Sequence, residues 1–309
     1  MPQRSLASRF GWTLRDYAKR VWDNAGEDNV LFLAGGIAFN IILAAVPFIL
    51  LLAAGLTLLL PLLYVGKINS QDAVFALIDG LMPPQSQATA TALHDLIFTL
   101  LKSRTSVGLY SGVGFIWFST RLFGSLRTVL ASVFDIESER GIIQGKVFDV
   151  KITVVSTLLF VASTAVSTYI LLGTSRSAQE LTALGMRKDV ITGLEYWVGR
   201  GLAFIFLALM FFALYKFLPV RRVRTATAWV AALFTTVMFE AARAIFSYYA
   251  SVFNPASLYT GTLTVLVVMI IWFYYAALIF ILGGEVGQVY ELRRTRKMQR
   301  ERFVDVAPA

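Results

Sequence analysis

Five ionisable side chains interrupt stretches that are otherwise apolar: Arg121 and Arg127 in one, Glu240 and Arg243 in another, and Glu285 at the end of a third. Asn40 is an uncharged sixth. A charge at the centre of a bilayer costs at least about 2.5–3.5 kcal/mol on insertion scales, so each of these groups must meet a partner, water or a ligand. The chemistry they offer is binding. Guanidinium forks donate to carboxylate or phosphate, and carboxylates accept or carry a counter-charge. Glu240 and Arg243 are three residues apart and can pair on one helix face. They read either as an internal salt bridge that lets the helix insert or as half of a polar site shared with another helix. Arg121 and Arg127 lie about 120° apart on a helix at 100° per residue. Arg127 is expected to snorkel to the cytoplasmic headgroups. Arg121 lies deeper, after Trp117 and Phe118, and is expected to face inward as an anion contact. Together with Glu240 and Arg243, and with Asn40 as a further candidate, it is expected to border one polar cavity, with Glu285 at the cytoplasmic edge. Two Arg against one Glu leave a positive charge for an anionic ligand. Glu285 has a plainer reading too, as an interfacial acid or the partner of an Arg on another helix.

Nothing in the chain resembles a catalytic constellation. There is no Cys and one His, His94, so a thiol nucleophile, a thiolate metal site, a His-based metal cluster and a His-dependent triad are excluded within one chain. P-loop, HExxH, zinc-type and GxSxG patterns are missing. No catalytic residue, metal or cofactor is expected, and the chain is read as a non-enzyme. His94 reads as a lone surface histidine, with a ligand or base role as the unsupported alternative.

The elements that must position these side chains follow from composition. The 309 residues are 57% hydrophobic and only 15% charged, with mean hydropathy +0.67. Soluble domains sit near roughly 45–50% apolar and 25% charged. The excess is too large for one soluble core and predicts an all-α polytopic membrane protein. A crossing needs roughly 20 mostly apolar residues. Six runs qualify: Leu31 to about Val65, Val107 to about Val133, Ile152 to Leu172, Trp197 to Leu218, Ala226 to Tyr249, and Leu263 to about Gly284. The first is too long for a straight crossing, and Pro47, which cannot donate a backbone hydrogen bond, is expected to kink it. The expected organisation is an amphipathic cytoplasmic segment over 1–30, a membrane domain over 31–285 and a basic tail over 286–309. Within the membrane domain, 66–106 is an external loop whose two helical patterns, parted by Pro83-Pro84, predict a hairpin. Residues Leu6 to Trp22 mix aromatic and basic side chains and predict an interfacial helix on the anionic leaflet; a solvated tail is the plainer alternative.

Orientation follows from Lys and Arg. Eighteen fall in the segments 1–30, 134–151, 216–224 and the tail after 285, against six on the opposite side. Both termini are therefore expected to be cytoplasmic. The formal net charge of +9 is explained by this asymmetry and by anionic headgroups, so no nucleic acid partner is expected.

The residues also resemble a family. Gly36-Ile37-Ala38-Phe39-Asn40 through Val46-Pro47-Phe48 is similar to the Ala-aromatic…Pro signature of the YihY/BrkB membrane proteins, with Asn40 where an aromatic is more usual. Trp117 to Arg127, followed by Phe134-Asp135-Ile136-Glu137, is similar to a second block. Leu218-Pro219 with its basic turn is similar to a third. Tyr259-Thr260-Gly261 through Trp272-Phe273-Tyr274-Tyr275 to Leu282-Gly283-Gly284-Glu285 is similar to the C-terminal signature. The resemblance implies a six-helix bacterial inner-membrane protein. Members have carried ribonuclease and serum-resistance labels.

The leading expectation is a transporter or flippase-like protein for an anionic, lipid-linked or polar envelope metabolite. The alternative is a non-transporting membrane scaffold for envelope integrity, whose buried charges only lock helices together. A nuclease using the basic tail is a distant third. Membrane lipids are the expected partners, with anionic headgroups at the cytoplasmic face; homo-oligomerisation is left open.

Overall fold

Among the described residues apolar runs become helices, and the described breaks, at 28–29 and 218–224, are polar or proline-bearing. The structure, a computed structural model, describes residues 6–62, 104–136, 145, 147, 148, 150–152, 154, 188–221, 223–252 and 262–306. Its long elements are α1 (Leu6–Glu27), α2 (Val30–Leu62), α3 (Arg104–Val133), α4 (Lys188–Phe217), α5 (Thr225–Val252) and α6 (Thr262–Val306). No strand occurs among the described residues. Five of the six apolar runs coincide with α2 to α6. Most of the third run, Ile152–Leu172, and the hairpin expected within 66–106 lie outside the described residues, as does His94.

Among the described residues two stretches, Thr225–Tyr249 and Leu266–Gln299, are long and apolar enough to cross a bilayer; a third is added if Arg15–Glu27 and Val30–Ala45, bent by 67°, are counted as one broken crossing. The outward faces carry Phe32, Phe39, Trp117, Ile245 and Ile270, all exposed. An apolar surface of this extent fits lipid rather than water.

The order of packing is simple. α3 lies along α2, α5 lies against both α4 and α6, and α6 also packs against α2 and α1. α4 ends where Pro219 removes a donor, after Leu218 N–H has bonded the Leu214 carbonyl at 3.0 Å. Lys216 in the last turn donates to the Val223 carbonyl at 2.5 Å, and Phe212 stacks on Trp229 at 4.5 Å, closing an αα-hairpin. The core gathers where α2 begins and α3 ends, around Ile37, Leu130, Val133, Tyr215 and Ile281. α2 continues as helix through Pro47. Gly114 of α3 faces this proline, and a Cβ there would stand 3.7 Å from the Pro47 Cβ.

Glycine sets how closely α6 approaches its neighbours. Gly283 and Gly287 are one turn apart, and opposite them α5 presents Thr227, Ala231 and Thr235, also one turn apart and all at most 1% exposed. A Cβ at Gly283 would lie 1.8 Å from Thr235 Oγ1 and 2.6 Å from the Tyr215 hydroxyl. This is the small-residue packing by which membrane helices come into backbone proximity. Tyr215 sits in the same layer, fully buried; its hydroxyl bonds Thr235 Oγ1 at 2.7 Å and donates to the Phe280 carbonyl at 2.5 Å. Between these two glycines lies Glu285.

Candidate functional site, a buried carboxylate at the meeting of four helices

Glu285 is 0% exposed, and neither of its carboxylate oxygens has a hydrogen-bond partner. Asp28 and Asn24 come near hydrogen-bonding reach of it without good geometry, and the charges of Asp28 and Asp135 act on it as well. They arrive from α1, from the α1–α2 break and from the end of α3. Gln288, one turn further along α6 and 7% exposed, links two of them. It accepts from Asn24 Nδ2 at 3.0 Å and donates to Asp135 Oδ2 at 2.7 Å. Ser132 donates to Asp28 Oδ1 at 3.2 Å. Asn24, Gln288 and Ser132 each direct a donor to another member of the cluster rather than squarely at Glu285. Among the described residues no group of three acidic, His or Cys side chains is disposed to hold a metal ion.

Backbone strain builds the node. Among the described residues Asn29 and Asp135 are the two non-glycine residues with left-handed φ, 51° and 49°. Asp135 occupies the position after a helix end that usually belongs to glycine. Its N–H bonds the Ser132 carbonyl at 3.0 Å, and the next N–H, that of Ile136, bonds the Ala131 carbonyl at 2.8 Å. These are the two bonds of a Schellman motif. A non-glycine residue held there costs on the order of 1 kcal/mol. What the chain gains is a carboxylate placed on Gln288. Asn29 does the equivalent between α1 and α2, turning the chain just after Asp28.

The other residues singled out from sequence are dispersed. Arg121 is exposed, on the face of α3 that also shows Trp117 and Val113. Glu240 and Arg243 are half-buried on α5, and no ion pair joins them among the described residues. α3 and α5 share no extended packing, so Arg121 and this pair lie on helices that are not neighbours. Arg127 is half-buried and donates from Nη1 to the Gly145 carbonyl at 3.3 Å. Asn40 donates to the Gly36 carbonyl at 2.9 Å, one turn back on its own helix, while its Oδ1 is buried without a partner. Of the sequence candidates, Glu285 alone sits in a polar cluster assembled from several helices. Its companions Asn24, Asp28, Ser132 and Gln288 were not singled out from sequence, and Asp135 was noted only as part of a block. Asp135 carried a usable signal, an acidic residue just past the end of an apolar run.

The fold and this node can be set beside known proteins. Residues 21–304 match the family described as Virulence factor BrkB. The chain belongs to that family. BrkB-type relatives are named as membrane proteins. A UPF0761 membrane protein of Ralstonia nicotianae is 27% identical over 94% of this chain and 61% of its own length. One of Cronobacter sakazakii is 25% identical over 96% of each chain. A Bacillus subtilis protein with a ribonuclease-like name is 23% identical over 84% of this chain and 89% of its own. The chain thus spans about three fifths of the Ralstonia relative and nearly all of the Cronobacter one. No solved structure matches. This BrkB chain is accordingly a membrane protein, in keeping with its apolar helices.

Proposed function

We propose that this chain is a six-span protein of the bacterial inner membrane, with both termini cytoplasmic, that moves an anionic lipid-linked or polar envelope metabolite in the manner of a flippase. The observation that carries the reading is Glu285. A scaffold that uses buried charge to lock helices pairs that charge, because an uncompensated buried ion costs several kcal/mol. Here the carboxyl has two acidic neighbours, Asn24 as its one nearby amide, no basic partner and no well-formed hydrogen bond. Such a group is suited to meeting a proton, a cation or a shifted donor when the protein changes state. It lies where α1, α2, α3 and α6 meet, so a change at one carboxyl is felt by four elements at once. Membrane ionisable groups in transporters have this placement, at helix junctions rather than on lipid-facing surfaces.

The chain has no native Cys, which permits a direct test. A single-cysteine Glu285→Cys variant is exposed to a membrane-impermeant maleimide from the cytoplasmic side. The transporter reading predicts labelling slower than at an exposed control, Arg294→Cys, but going to completion. A folded protein that never labels at 285 while the control labels fully would favour a closed scaffold.

A further inference from the structure

Besides the node, α1 and α6 form a small cleft of about 70 Å³, lined by Arg20, Asn24, Val289, Leu292, Arg293 and Arg296. That is well below the roughly 300–1,000 Å³ of drug-sized ligand sites, so it suits one small charged group rather than a whole enclosed ligand. Three guanidinium groups face it. One carboxylate, that of Asp16, serves two of them, at 3.3 Å from Arg20 and 2.5 Å from Arg293. Arg296 makes no ion pair or hydrogen bond among the described residues. Positive charge therefore remains in excess. Arg293 is further fixed by lying 5.0 Å over the Tyr17 ring, so its fork is held in place before any ligand arrives. The apolar lining is Val289, which is buried, and Leu292, which is 42% exposed.

We propose that this cleft binds a phosphate-bearing anion, supplied either as the headgroup of an anionic phospholipid or as a soluble phosphate. Guanidinium forks match phosphate oxygens two at a time, which ammonium groups do not. Basic residues on a helix at the cytoplasmic surface meet the anionic leaflet. The apolar lining beneath the arginines suits a ligand with a hydrocarbon part. The inference rests on the cytoplasmic placement of α1 proposed above but not on transport, because its readout is equilibrium binding.

The full chain in detergent is titrated with dioleoylphosphatidylglycerol, dioleoylphosphatidylcholine and inorganic phosphate, and bound ligand is read by native mass spectrometry. The variants are Arg296→Gln and Arg296→Lys, which remove no bond from the fold; unchanged melting temperatures check this. If the ligand is a headgroup, phosphatidylglycerol binds more tightly than phosphatidylcholine. Arg296→Gln then weakens it by about tenfold, the loss expected for a hydrogen bond to a charged group, and Arg296→Lys restores part of the affinity. If the ligand is a soluble phosphate, inorganic phosphate shows that dependence on Arg296 and the two lipids bind alike. Equal binding of phosphatidylglycerol and of phosphate by the wild type and Arg296→Gln would overturn the proposal.

Discussion

Tyr17 shows how single residues hold the N-terminal helix. Its hydroxyl donates to the Val286 carbonyl of α6. Burial pushes its pKa up from 10.0 to about 12, with the Arg293 charge pulling the other way. The folded state thus favours the neutral phenol. Its contribution to stability is fully present below pH 10 and is lost as pH rises through about 12. Limited proteolysis of α1 is therefore expected to accelerate between those values in the wild type. In Tyr17→Phe that pH step is expected to vanish, with α1 already less protected at neutral pH. An unchanged step in the variant would place the titration elsewhere. Glu285 was legible from sequence because a carboxylate at the end of an apolar run is conspicuous. Its surroundings were not. Gln288 reaches Asn24 across 264 residues and Asp135 across 153. Helical periodicity assigns a residue to a face and says nothing of which distant face it meets. The expectation that Arg121 joins Glu240 and Arg243 came from charge counting and did not specify helix order, which sets α3 beside α2 and α5 beside α4 and α6.

For the helices themselves, sequence reading was far better. Apolar length marked α2 through α6, and the mixed aromatic and basic pattern marked α1, because each depends on local composition. Pro219 was readable as a stop for the same reason. The glycines were a different matter: the sequence has 22, and composition does not distinguish one that permits contact from one that only loosens a helix. The structure does. A Cβ at Gly201 meets nothing within 4 Å, whereas one at Gly283 would lie 1.8 Å from Thr235 Oγ1, already engaged with Tyr215. Gly283→Ala is expected to lower stability by about 1–3 kcal/mol through overpacking. Gly201→Ala is expected to be neutral or to stabilise by up to about 1 kcal/mol, since alanine is the better helix former. Thermal unfolding of both variants in the same detergent checks the contrast. Equal effects would mean that α5 and α6 are not packed this closely in solution.

At the scale of the whole molecule the proposal is a bundle whose cytoplasmic end is drawn together by one acidic node. α6 has 45 residues, roughly 67 Å of helix. That is more than twice the hydrocarbon thickness of about 30 Å. Its final part must stand outside the membrane, where it carries six Lys and Arg and packs on α1. Single cysteines at 20, 224 and 294 are accordingly expected to label only from the cytoplasmic side, and cysteines at 67 and 187 only from outside. Labelling of 224 in intact cells would overturn this orientation. The central claim, that Glu285 serves movement of an anionic lipid-like molecule, is tested most directly in proteoliposomes that contain traces of fluorescent phosphatidylglycerol. Dithionite quenching from outside reports how quickly inner-leaflet probe becomes accessible. The account predicts translocation by the wild type well above that in protein-free vesicles, reduced about tenfold or more in Glu285→Gln at equal incorporation and unchanged melting temperature. Translocation by Glu285→Gln at the wild-type rate, or none by the wild type, would contradict it.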